Sequence, residues 1–164
     1  MAYEAGPDNI ILKALQEVGV KTTAFVRDAH NNTIKAFNQG NIEMLTQPAD
    51  FSEIIPKASL VIHSGGGGTS TACLMTGRPQ ITFPTHSETG LNSKLMKEHG
   101  CAVPVSNQIE LEPLVKLLKK VINESRLKSN ATKVAQQLAK GSWKNALDTI
   151  TEHAEQLMDK NRSV

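Results

Sequence analysis

Four consecutive glycines, Gly65, Gly66, Gly67 and Gly68, stand between the apolar run Leu60-Val61-Ile62 and a segment from Thr69 to Met75 that reads as helix. A helix start exposes unpaired backbone N–H groups and a partial positive charge. Glycine lets a ligand approach those groups with no Cβ in the way. Together these features build an anion site, most often for phosphate. Thr69 follows where a hydroxyl can donate to a phosphate oxygen or cap the helix. The competing reading is a flexible glycine turn that holds nothing. Two familiar phosphate loops do not fit. The Walker loop needs Lys before Ser or Thr, whereas Gly68 is followed directly by Thr69 and Ser70. The dinucleotide fingerprint G-x-G-x-x-G ends on Ser70 when started at Gly65 and on Thr71 when started at Gly66. It also belongs after the first strand of its unit, and this loop follows several.

Short apolar runs alternate with amphipathic stretches along the chain, which is the α/β pattern. Strands are predicted at 22–26, 42–45, 59–63, 80–84 and 101–105, with a short first strand at 2–4, six in all. The run at 59–63 is continuously apolar, as in a parallel strand buried on both faces. Helices are predicted at 8–18, 30–38, 52–55, 69–75 and 88–99, the last with Leu91, Leu95 and Met96 inward. Three more follow at 110–122, 125–140 and 142–158, where Trp143 reads as packing. The expected fold is a Rossmann-like, doubly wound parallel sheet with C-terminal helices. Such sheets bind ligands outside the carboxyl ends of their strands. The glycine run, the Thr46-Gln47-Pro48 turn and the stretch from Pro84 to Glu88 all lie at such ends.

The bulk composition excludes several classes. A chain of 164 residues, 39% hydrophobic and 21% charged, suits one folded domain. The formal charge of +2 does not call for a nucleic-acid partner, and Lys116, Lys119, Lys120, Arg126 and Lys128 read as a solvated helix face. No apolar run approaches the roughly 18 residues needed to span a bilayer. No signal peptide is visible in the first twenty residues. Cys73 and Cys101 lack metal-ligand spacing and read as reduced core residues of a cytoplasmic protein. No Asp-x-Asp pair occurs, so no metal is expected.

The order Ser64-x-Gly66-x-Gly68-Thr69, then Gly77-Arg78-Pro79, then Pro84-x-x-x-Glu88-Thr89-x-x-Asn92 carries a resemblance. The chain resembles the C-terminal, donor-binding domain of GT-B glycosyltransferases of the UDP-glucosyl- and glucuronosyltransferase kind, most specifically from Ser59 to Gly100. The resemblance implies a domain that binds a nucleotide diphospho-sugar, UDP- or TDP-linked, for hexosyl transfer to an unspecified acceptor. Ser64, Gly66, Gly67, Gly68 and Thr69 would hold the diphosphate. Glu88 would take the sugar hydroxyls, with Thr89, Asn92 and His86 around it, and Thr46, Gln47 and Pro48 would face the nucleobase. No catalytic residue is expected in this chain: the general base and acceptor pocket would belong to an N-terminal domain or partner subunit. Relatives of this kind carry His at position 64, Gln at 89 and often Glu at 72, whereas Ser64, Thr89 and Ala72 stand here. Histidine is present one residue earlier, as His63, where it reads as structural. These differences keep a second reading open, a non-catalytic nucleotide- or phosphate-binding module on the same fold. A nicotinamide-dependent enzyme is a third, distant reading.

Overall fold

A computed structural model describes residues 9–140, 148–153 and 155. The chain opens with α1 (Ile10–Val18) and β1 (Thr22–Phe25), then α2 (Asn31–Phe37) and β2 (Ile42–Leu45). Next come α3 (Phe51–Ile54), which tightens into a 3-10 turn at Ile55–Lys57, and β3 (Val61–His63). After the glycines follow α4 (Gly67–Thr76), β4 (Gln80–Thr82), α5 (Ser87–Glu98) and β5 (Ala102–Pro104). Two long helices, α6 (Leu111–Ile122) and α7 (Ser125–Ala139), come last, and residues 148–153 are helical as well. The expected strand at 2–4, Trp143 and most of the expected helix 142–158 lie outside the described residues.

All strand pairing is parallel, but it forms two pieces where one sheet was expected. β1 pairs with β2, with Thr22 opposite Ile42 and Phe25 opposite Leu45. β4 lies between β3 and β5, with Ile81 opposite both Ile62 and Val103. The described residues therefore contain five strands, in a pair and a triplet. A shared core joins the two pieces. Ile42 and Met44 of β2, Ile81 of β4, Ile11, Leu12 and Leu15 of α1, and Leu114, Val115 and Leu118 of α6 belong to one buried cluster.

The triplet is covered on both faces, because a strand's side chains alternate. Ile62, Ile81 and Val103 join the α1 and α6 side. Ala102, one residue out of phase with Val103, joins Leu74 of α4, Met96 of α5, and Ala131 and Val134 of α7. That second layer is tightly drawn. Gly77 ends α4 at φ +66°, and a Cβ there would stand 3.2 Å from the Cα of Thr132. Glycine is needed at that corner both for its left-handed backbone and for the close approach of α7.

One expected helix face holds only at Met96. α5 buries Thr89, Ser93 and Met96, while Leu91 and Leu95 are exposed. The inward side of its first two turns meets the main chain of the glycine loop, where small polar side chains fit and leucines do not. The lysine-rich stretch is solvated as expected, and Lys116 pairs with exposed Glu112 across one helical turn at 2.6 Å. Among the described residues no helix is long and apolar enough to cross a membrane.

Candidate functional site

The glycine loop divides into one residue that the fold requires and three that it does not. Gly65 is buried with φ +87°. A Cβ at Gly65 would lie 2.7 Å from Ser93 Oγ and 2.9 Å from the carbonyl oxygen of Thr89. Both groups belong to α5 and are tied together, since the Ser93 hydroxyl donates to that carbonyl at 2.7 Å. The Gly65 peptide is fixed from two sides. Its N–H donates to His63 Nδ1 at 3.0 Å, and its carbonyl accepts from Asn92 Nδ2 at 3.1 Å.

The next three glycines meet almost nothing. Apart from its own helix and chain neighbours, a Cβ at Gly66 or Gly68 would find no atom of the described residues within 4 Å, and one at Gly67 would find only Glu88 Oε1, at 4.0 Å. None of the three has positive φ. Neither backbone strain nor protein packing explains why side chains are missing here. Two of them open α4, where each Gly forgoes about 1 kcal/mol relative to Ala in a helix interior.

Directly beneath this bare surface is the start of α4. Gly66 is its N-cap and offers no side chain, and the first helical amide bond runs from Ser70 N–H to the Gly66 carbonyl at 3.0 Å. The amides of Gly67, Gly68 and Thr69 have no acceptor among the described residues. Gly67 and Gly68 are exposed and Thr69 half-exposed. The half-buried Ser64 hydroxyl, just upstream, has no partner among the described residues either. An anion placed here would meet three donors and the positive end of a helix of 10 residues.

The second loop, from Pro84 to Glu88, meets the first through Glu88. This exposed carboxylate sits in the first turn of α5, and its Oε1 is the atom over Gly67. His86, also exposed, is the N-cap residue of α5. Asn107 steadies the loop by donating from Nδ2 to the Pro84 carbonyl at 2.6 Å. Thr89 is placed differently from its neighbours. It is 3% exposed, and its hydroxyl accepts from the amides of Thr85 and His86 at 3.0 and 3.1 Å while donating to the His86 carbonyl at 2.9 Å. A direct grip on a ligand would require that hydroxyl to leave the cap. Asn92 is likewise spent on Gly65, so both side chains shape the loops from behind.

Thr46, Gln47 and Pro48 form an exposed turn at the carboxyl end of β2, and no hydrogen bond among the described residues ties it to the glycine loop. A shallow cleft of about 280 Å³ lies at the opposite, amino end of β1 and β2, lined by Lys21, Asn38, Asn41 and their neighbours. Among the described residues there is no group of three or more His, Cys, Asp or Glu side chains able to hold a metal.

Sequence reasoning read His63 as structural but did not find its partners, and it missed Gln80 and Asn107. His63 Nε2 lies 2.8 Å from Gln80 Oε1, and Gln80 is fully buried. A glutamine inside the apolar strand Gln80-Ile81-Thr82-Phe83 was the available signal, because a buried amide demands a partner.

Parallel strands wrapped by helices on both faces, with bare helix-start amides at a strand's carboxyl end, define the doubly wound α/β class that binds anionic ligands at such edges. Comparison with known proteins narrows the class. Residues 11–151 match the family described as "Erythromycin biosynthesis protein CIII-like, C-terminal domain", and the chain belongs to that family of glycosyltransferase domains. A "UDP-sugar-dependent glycosyltransferase 52" of Dictyostelium discoideum is 27% identical over 124 residues, 74% of this chain and 7% of that protein. "Elloramycin glycosyltransferase ElmGT" of Streptomyces olivaceus is 27% identical over 85 residues, 52% of this chain and 21% of that protein. The solved structure of glycosyltransferase VinC in complex with DTDP superimposes with a TM-score of 0.76 at 18% identity, over 90% of this chain and 37% of that one. The chain thus spans well under half the length of each, and its fold is that of the C-terminal domain of GT-B glycosyltransferases.

Proposed function

We propose that this chain is the donor-binding domain of a hexosyltransferase and takes a nucleotide diphospho-sugar. One observation carries the reading: three unpaired amides open α4 under glycines whose missing side chains nothing among the described residues requires. The diphosphate sits on the amides of Gly67, Gly68 and Thr69, beside Gly66 and the Ser64 hydroxyl. Glu88, held over Gly67, accepts hydrogen bonds from sugar hydroxyls, and His86 lines the same rim. Asn92 and Thr89 act through the loops they fix. The Thr46-Gln47-Pro48 turn faces the base, uridine or thymidine.

Glycosyl transfer breaks the anomeric C–O bond, and negative charge grows on the departing diphosphate. Fixed N–H dipoles stabilise that charge with no reorganisation at the moment of reaction, and the reading calls for no metal. The acceptor and its general base come from an N-terminal domain or a partner subunit. Support comes from the openness of the site: Gly67, Gly68, His86 and Glu88 all face solvent, so one wall of a closed cleft has to be supplied from elsewhere. Two buried, unpaired cysteines suit a reducing compartment, the cytoplasm.

Titration calorimetry with UDP, TDP and their glucose conjugates tests this. Binding of a diphosphate, with a gain from the sugar that Glu88→Ala abolishes, is the expected result. Silence with all four ligands overturns it. The commitment of the Thr89 hydroxyl to the α5 cap favours one rival, the non-catalytic phosphate-binding module. Diphosphate binding indifferent to the sugar would select that rival.

A further inference from the structure

The His63 ring stands at the end of β3 with both nitrogens engaged. Nδ1 lies 3.0 Å from the Gly65 amide nitrogen, and a backbone N–H can only donate, so Nδ1 must be the acceptor. The ring proton is then on Nε2, where it donates to Gln80 Oε1 at 2.8 Å. Both bonds exist together only in the neutral Nε2–H tautomer. The clamped residue is Gly65, the one glycine of this loop that the packing demands, and the three open amides follow two to four positions later.

We propose that His63 is a positioning residue whose neutral ring sets the diphosphate loop, so that donor affinity falls when the ring takes up a proton. This rests on the donor-binding reading above. Protonation puts a second N–H on Nδ1, facing the Gly65 N–H across 3.0 Å. Two donors cannot share that contact, and the peptide has little room to retreat. The Gly65 carbonyl is held by Asn92, and on its Cβ side the residue faces Ser93 Oγ and the Thr89 carbonyl oxygen, 2.7 and 2.9 Å from where a Cβ would stand.

The surroundings favour the neutral ring. Burial pulls the His63 titration below its ordinary value near 6.5, and the bond to Gln80 opposes this more weakly. Few other titratable groups sit on the elements packed around it. β4 and β5 carry none, and α4 carries only Cys73, whose thiol burial pushes up to about 12 and keeps neutral. On α5 the candidates are Glu88, Lys94, Lys97 and Glu98, all exposed, and His86 before them is exposed too.

If only the neutral-ring loop binds, apparent affinity scales with the neutral fraction. One pH unit below the ring's midpoint the loss is about tenfold, and two units below about a hundredfold. The ligand's terminal phosphate also titrates, near pH 6, so the comparison must be between proteins that share the ligand. Affinities of the chain for TDP and UDP are measured from pH 5 to pH 8 for the natural protein, His63→Asn and His63→Ala. Asn can accept from Gly65 and donate to Gln80 but has no proton to gain. At pH 8 His63→Ala is expected to lose about tenfold and His63→Asn to recover most of it. Below the ring's midpoint the natural protein falls away from His63→Asn by about tenfold per pH unit. In the free protein, the Gly65 amide resonance moves with the His63 ring titration, a readout that needs no ligand and stands if His63→Ala does not fold. Parallel pH profiles for the natural protein and His63→Asn overturn this inference alone. So does tighter binding by the natural protein in acid, which would make the imidazolium a phosphate contact. Failure of both diphosphates to bind at any pH overturns the donor reading and this inference with it.

Discussion

Replacing Gly68 with alanine separates the two explanations for the glycine run, because they predict opposite signs. Gly68 lies in the first turn of α4, its φ is not positive, and an added Cβ meets nothing within 4 Å. The protein alone therefore gains from Gly68→Ala. The unfolded chain loses conformational freedom and the helix gains propensity, together about 0.4–1 kcal/mol. For a domain of this size that raises Tm by about 1–4 °C. The diphosphate sees the same methyl group differently, since it stands where phosphate oxygens must come within about 2.9 Å of the amides. Losing one charge-assisted bond costs about 1.5–3 kcal/mol, a factor of roughly 10 to 150 in Kd. Thermal melts and TDP titrations on one pair of proteins read both effects. Gly65→Ala is the control: at φ +87°, with Ser93 Oγ only 2.7 Å from the new Cβ, it should destabilise the fold outright. A Gly68→Ala protein that is less stable, or that binds TDP and UDP as before, refutes the assignment of these amides to a ligand.

Asn92→Ala removes the bond to the Gly65 carbonyl, so diphosphate affinity should fall several-fold with about 1 kcal/mol of stability, read by calorimetry and urea titration. Unchanged affinity would show that the loop holds its shape without Asn92. Cys73 is fully buried with its thiol pushed up to about 12, so a disulfide reagent at pH 8 should label it only as the domain unfolds. Labelling of the native protein at the rate of an exposed thiol would contradict that burial.

The glycine loop was legible in the sequence because its signal is local: a strand, four glycines and a helix lie in unbroken succession. Helix boundaries were less so. The helix expected from Thr69 begins at Gly67, since propensity sets glycine outside a helix while its backbone still closes the turn to Ser70. Strand edges shrank for a related reason. Leu60 and Phe83 pack into the core just outside the paired residues, Phe83 still donating its amide to the His63 carbonyl at 2.9 Å, so 59–63 became Val61–His63 and 80–84 became Gln80–Thr82. The division into a strand pair and a strand triplet depends on partners far apart in the chain, which no window of sequence contains. On α5, Leu91 and Leu95 promised an apolar inner face, but the loop it meets is main chain. Thr89 and His63 were assigned by comparing single positions. Their hydrogen bonds reach Thr85, His86, Gly65 and Gln80, and only the folded chain shows which loop atoms each one holds.

A floor made of backbone amides recognises charge and shape and is blind to the identity of the base or sugar above it. No single side-chain change can erase it short of filling the space, and none can sharpen it. On the proposed donor reading, selectivity falls to the rim, at Glu88, His86 and the turn after β2, where residues are exposed. Exchange of these few positions offers a route to redirect such a domain from one activated sugar to another while its anchor stays the same.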